Sequence, residues 1–243
     1  MAESKRPVVK APRPVKPGQP AARSGAGDID AFLAEARALT PATVEGGRGR
    51  LVFALDATMS RQPTWDKALQ LQSQMFEEAG KVGSLDVQLV YFRGFGECRA
   101  SRWVSETKGL RDLMTGIECR GGQTQIGKVL AHARRETGKK KVNVLVFVGD
   151  ALEEPIDDLA TMAGELGMLG VRLFIFQEGR DPVVERGFRE LARLSGGAYG
   201  RFDPNAAGQL AQLLRAAAVY AAGGLKALQK SGAGAQRLIE QLR

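Results

Sequence analysis

Five side chains with oxygen ligands stand where apolar runs stop. Asp56, Thr58 and Ser60 follow Leu51-Val52-Phe53-Ala54-Leu55 as Asp-x-Thr-x-Ser. Thr124 follows Gly121-Gly122-Gln123, and Asp150 closes the run Val142–Val148 through Gly149. Carboxylates and hydroxyls are hard donors, suited to a hard divalent cation such as Mg²⁺, with Mn²⁺ the substitute. Each residue also has a plainer role, Ser60 or Thr124 as helix N-caps and the two aspartates as loop acids. The cation reading therefore rests on all five meeting at one place.

The elements around them make that meeting plausible on paper. Residues 51–55 and 142–148 are continuous and apolar, the pattern of strands buried on both faces of a parallel sheet. Residues 64–79 have helical spacing through Trp65, Ala68, Leu69, Phe76 and Ala79, ended by Gly80 and Gly83. Residues 85–92 and 98–105 read as strands joined by Gly94-Phe95-Gly96-Glu97, a link too short for anything but an antiparallel hairpin. A short helix is predicted over 109–118, and a longer one after Thr124 buries Ile126, Val129, Leu130 and Ala133. Beyond Asp150 come a helix at 156–169, a strand at 173–176 and a helix opened by Asp181-Pro182 and ended by Gly196-Gly197. A last short strand, 199–202, precedes a helix with Leu210, Leu213, Leu214, Ala217 and Ala221 inward. Glu153, Glu154, Asp157 and Asp158 read as favourable charge at the start of helix 156–169.

Alternating strand and helix over 50–222 implies an α/β fold, a doubly wound open sheet with helices on both faces. The order 3-2-1-4-5-6 with strand 3 antiparallel fits. Ligands bind such sheets beyond the carboxyl ends of the strands, where the order reverses. Strands 1 and 4 flank that point, and they are the two that end in Asp56 and Asp150.

The rest of the 243 residues is accessory. Residues 1–27 are basic and Pro-rich, with Pro7, Pro12, Pro14, Pro17 and Pro20, and are expected to be a disordered tail. They hold +5 of the formal +8, so the remainder carries an ordinary +3. Residues 28–39 have a helical apolar face before Pro41, and 28–49 is a helix and linker. Residues 223–243 suggest two weak amphipathic pieces around Gly232 and Gly234. Cys98 and Cys119 are expected to be reduced thiols, and no apolar run is long enough to span a membrane. A cytoplasmic protein is expected.

Taken together, Asp56-x-Thr58-x-Ser60, then Thr124, then Asp150 resembles the metal-ion-dependent adhesion site of the von Willebrand factor type A (VWA) domain family, over roughly 50–222. That site usually reads Asp-x-Ser-x-Ser, then a distant Thr and a distant Asp; Thr58 replaces one Ser and keeps its hydroxyl. The resemblance implies that Ser60, Thr58 and Thr124 hold Mg²⁺ through hydroxyl oxygens, with Asp56 and Asp150 acting directly or through water. It implies a Rossmann-like fold of intracellular bacterial type and a protein partner supplying Asp or Glu to the metal. It also implies an adaptor role without catalysis, in multiprotein assemblies of the AAA-type ATPase or chaperone kind.

Four other readings compete. Gly122-x-x-x-x-Gly127-Lys128 matches a phosphate-binding loop, but Val129 stands where Ser or Thr should serve Mg²⁺, and no strand directly precedes it. A phosphotransferase of the haloacid dehalogenase type needs Asp-x-Asp, and Thr58 occupies the second position, so the general acid is missing. His132 lies on a helix that reads as structural, which leaves no Ser/His/Asp arrangement. The basic tail gives weak support to nucleic-acid binding, but aromatic residues are only 6% of the chain and do not interleave with the basic ones.

Overall fold

The β-branched and aromatic runs form six strands. The structure, a computed structural model, describes residues 48–58, 85–202 and 207–230. Tail 1–27, the helices expected at 28–39 and 64–79, Ser60, and residues 231–243 lie outside the described residues. The elements are β1 (Gly49–Asp56), β2 (Leu85–Arg93), β3 (Glu97–Val104), α1 (Thr107–Thr115), α2 (Ile126–Lys139), β4 (Val144–Gly149), α3 (Ile156–Met168), β5 (Arg172–Glu178), α4 (Pro182–Leu194), β6 (Ala198–Phe202) and α5 (Ala207–Lys230). The sheet order is β3-β2-β1-β4-β5-β6, with only β3 antiparallel, as the spacing of the sequence predicts.

The period of two along each strand sorts side chains into two cores. Leu51, Phe53 and Leu55 of β1, with Val144, Val146 and Val148 of β4, pack with Met114 of α1 and Leu214 and Ala217 of α5. Val52 and Ala54, with Leu145 and Phe147, face Val129 and Ala133 of α2, Leu159 and Ala163 of α3, and Phe188 of α4. The central strands are therefore apolar without alternation because both faces are covered.

The last helix is two helical pieces joined across a non-helical residue, Gly224 (φ 66°): the break falls close to 222, where the sequence divides them, and the second piece runs to Lys230. One feature departs from the sequence expectation. The β2–β3 ladder is irregular between Gln88 and Val90. There Ser101 takes over part of the pairing, its Oγ accepting from Leu89 N at 3.0 Å and its carbonyl accepting from Gln88 Nε2 at 2.8 Å. His132 is structural, its Nε2 2.9 Å from Gln88 Oε1.

At the amino end of the strands, opposite the aspartates, a polar network joins the layers. Asn143 Oδ1 accepts from Arg50 N at 2.8 Å, and Asn143 N donates to Arg50 O at 2.9 Å. The Arg50 guanidinium lies 3.7 Å over the Trp103 ring. It also lies 3.5 Å from the Glu136 carboxylate, which accepts from Trp103 Nε1 at 2.9 Å.

Candidate metal centre

Parallel pairing of β1 with β4 puts Leu55 opposite Val148, so both strands expire side by side into Asp56 and Gly149-Asp150. A β-carbon built on Gly149 would lie 3.8 Å from Asp56 Cβ. Asp56 is 2% exposed, and its Oδ1 accepts from Thr58 N at 2.8 Å, so the carboxylate itself turns the chain and fixes the Thr58 position. The same turn is pinned by Ala57 N on Phe92 O (2.9 Å) and by Arg120 N on Ala57 O (3.0 Å). The segment leading to Thr124 is thereby attached to the end of β1.

Thr124 is buried, but it is not the cap of α2. Gln125 holds that position and makes no side-chain cap bond. The Thr124 hydroxyl instead accepts from Glu153 N at 3.1 Å, while Thr124 N donates to Glu153 Oε2 at 2.7 Å. The next residue completes the attachment. Glu154 takes both Ile126 N (2.6 Å) and Gly127 N (2.8 Å), the orphan donors at the start of α2. Asp157 and Asp158 lie in the first turn of α3 as expected, but Glu153 and Glu154 do not serve that helix. Glu153 reaches across to Thr124, just before α2, and Glu154 caps α2 itself, where a carboxylate meets the same partial positive charge. The segment 150–154 thus carries one candidate ligand, Asp150, and holds another, Thr124.

This pairing also answers the phosphate-loop reading. The N–H groups that would cradle a phosphate already bind Glu154, and Lys128 Nζ is turned to Gly96 O (2.8 Å) and Gln125 Oε1 (2.9 Å). Replacing Glu154 by Ala would leave two N–H groups without their acceptor. We expect the variant to lose about 1–3 kcal/mol in a urea titration, with Glu154→Gln losing less because an amide oxygen still accepts.

The segments that carry Asp56, Thr58, Thr124 and Asp150 are thereby attached to one another at the ends of β1 and β4; Ser60 lies outside the described residues. One atom there is conspicuous: Asp150 Oδ1 is buried and has no hydrogen-bond partner among the described residues. A buried carboxylate oxygen without a donor is costly, and a cation is the partner that fits a set of carboxylate and hydroxyl oxygens. Among the described residues no group of three or more His, Cys, Asp and Glu could hold a metal. Glu153 and Glu154 could not have been singled out from the sequence, because their partners lie 27 to 29 residues away.

No protein-family model matches the chain, and no curated protein matches it. Solved structures do. A VWA protein from Catenulispora acidiphila has a TM-score of 0.56 at 16% identity, over 71% of this chain and 43% of that one. BatB from Bacteroides thetaiotaomicron has a TM-score of 0.54 at 20% identity, over 69% and 97%. The SpRpn10 VWA domain has a TM-score of 0.53 at 12% identity, over 70% and 93%. The fold is that of a VWA domain. No helix among the described residues is long and apolar enough to cross a membrane.

Proposed function

We propose that this chain is a Mg²⁺-dependent protein-interaction module that captures a carboxylate of its partner. The observation that carries the proposal is the buried Asp150 Oδ1, without a hydrogen-bond partner among the described residues, beside the end of β1. Asp56, Thr58, Thr124 and Asp150, with Ser60, are the residues that would hold the cation. When bound, Mg²⁺ supplies a coordination position open to an incoming carboxylate oxygen. Asp56 orients Thr58 through its backbone N–H, and the Glu153 pair orients Thr124, so the oxygens are held before any ligand arrives. Three neutral hydroxyls, with the carboxylates acting through water, would leave the cation's inner shell without an anionic oxygen, which favours an acidic partner.

The module acts by binding, not by catalysis. Thr58 stands where a phosphotransferase would need its second acid, and a phosphate at the start of α2 would have to displace Glu154. The VWA fold and the resemblance of the motif support a partner within a larger assembly, of the AAA-type ATPase or chaperone kind. Thermal unfolding with Mg²⁺ and with EDTA tests the site. At a free concentration 100 times Kd, the cation should stabilise the protein by about 2.7 kcal/mol. We expect Asp56→Ala to abolish that increment, and a wild-type midpoint indifferent to Mg²⁺ and Mn²⁺ would refute the reading.

A further inference from the structure

Among the described residues, the largest apolar side chain left in water at the metal end of the sheet is Phe95, which is 86% exposed at the tip of the β2–β3 hairpin. Met168, as exposed at 84%, ends α3 at the other end of the sheet. The hairpin tip adjoins the candidate centre. Phe92 pairs with Asp56 across the β1–β2 ladder, and Phe95 follows three residues later. Gly94 (φ 60°) and Gly96 (φ 156°) adopt backbone conformations that L side chains avoid, so the turn requires glycine on both sides of the ring.

The turn is also held firmly, and by the segment that carries Thr124. Gly94 O accepts from Gln123 N (3.2 Å) and from Gln125 Nε2 (3.2 Å), and Gly96 O accepts from Lys128 Nζ (2.8 Å). Arg93 Nη1 donates to Glu118 O at 2.7 Å. Gly122 backs directly onto Gly94, with no room for a β-carbon between them. The backbone that carries the ring is thus fixed by the structure that positions a candidate ligand. Exposed apolar groups are common, but one on a backbone already ordered beside a binding centre costs only side-chain freedom when it is covered. Around it stand Arg93 and Arg99, both paired with Glu97, Arg120, paired with Glu118, and Lys128, a local surplus of two positive charges, while the Glu153 and Glu154 carboxylates are turned onto backbone N–H groups.

We propose that Phe95 is the second anchor of the partner: it packs against an apolar side chain lying a few residues from the carboxylate that reaches the metal, on an acidic segment of the partner protein. This rests on the metal-dependent reading above and adds the specificity that a lone carboxylate cannot supply. Clustered positive charge steers the acidic segment in, and the ring then selects for an apolar neighbour.

A random peptide library displayed on phage, selected on the full chain in Mg²⁺ and in EDTA, tests it. In Mg²⁺ we expect enriched peptides to share an Asp or Glu and an aliphatic or aromatic residue at fixed spacing. On Phe95→Ser the carboxylate should remain and the apolar position should randomise, with affinity for the wild-type consensus peptide falling about tenfold or more. Phe95→Trp should keep both features. Both variants should retain the wild-type Mg²⁺ thermal shift, since the ring has no part in the core. Mg²⁺-dependent enrichment with the same apolar preference in Phe95→Ser would overturn this inference alone. Enrichment unaffected by EDTA, or none at all, would overturn both it and the metal-dependent reading.

Discussion

Glu136→Ala is expected to cost about 3–5 kcal/mol, the range for removing one partner of a buried ion pair. The Arg50 and Glu136 side chains are only 7% and 9% exposed. Arg50 would keep its bond to Lys140 O and its position over Trp103, but it would lose its buried counter-charge, and Trp103 Nε1 would lose its acceptor. Because the network bridges β1, β3 and α2 at the end remote from the metal centre, the loss should appear in EDTA and Mg²⁺ alike. In a domain of this size each kcal/mol moves the thermal midpoint by about 2–4 °C, so calorimetry reads the effect directly. Burial works against ionisation of Glu136. Hydrogen bonds from Lys139 and Trp103 and the Lys139 charge nevertheless hold its carboxyl below the usual range. Asp86 moves the same way, against the effect of burial, through bonds from Ser105 and Arg48. A carboxyl whose pKa is lower in the folded state contributes stability that is present above its unfolded pKa, about 4. That contribution disappears as pH falls through the lowered folded value. Urea midpoints of the wild type should therefore drop below about pH 4.5, and Glu136→Gln should show a shallower drop from a lower plateau.

What the sequence made legible was local or periodic. Two apolar runs that end in an aspartate specify parallel central strands, and with the four-residue link after Arg93 they lead to the observed strand order. Thr124 was legible only as a polar residue after a glycine pair, yet its place follows once β1 and β4 are neighbours. What stayed hidden depends on partners far apart in the chain. Nothing in Leu-Glu-Glu-Pro announces that both glutamates cross to α2 and not to the helix they precede. The alternation in 98–105 gives no sign that Trp103 meets Arg50 and Glu136, or that Ser101 bridges an irregular ladder. Phe95 is an ordinary hairpin residue in the sequence; its exposure, and the hold on its turn, emerge only when the loop at 118–128 is seen to bind the flanking glycines. The division of the C-terminal helix was legible, since Gly223-Gly224 separates the two apolar faces and the break falls at Gly224.

Asp150→Asn should change stability in opposite directions with and without the cation. In EDTA the wild-type protein carries a buried carboxylate oxygen with no donor among the described residues, in a site it shares with Asp56. Replacing the half-buried acid by its neutral isostere conserves shape and removes one of two neighbouring negative charges, so the variant should be more stable than wild type there by up to about 1 kcal/mol. Adding Mg²⁺ should reverse the ranking. The wild type gains stability by mass action, and the variant, with one anionic ligand fewer, gains little or nothing. Two melting curves per protein decide it, and the crossing is the informative feature. A residue conserving only local structure would be less stable on substitution under both conditions. A functional acid, held ready for a positive charge at some cost to the empty domain, produces the crossing. If Asp150→Asn were destabilised equally in EDTA and Mg²⁺, the carboxylate would be a structural group, and the case for a cation at the ends of β1 and β4 would fall with it.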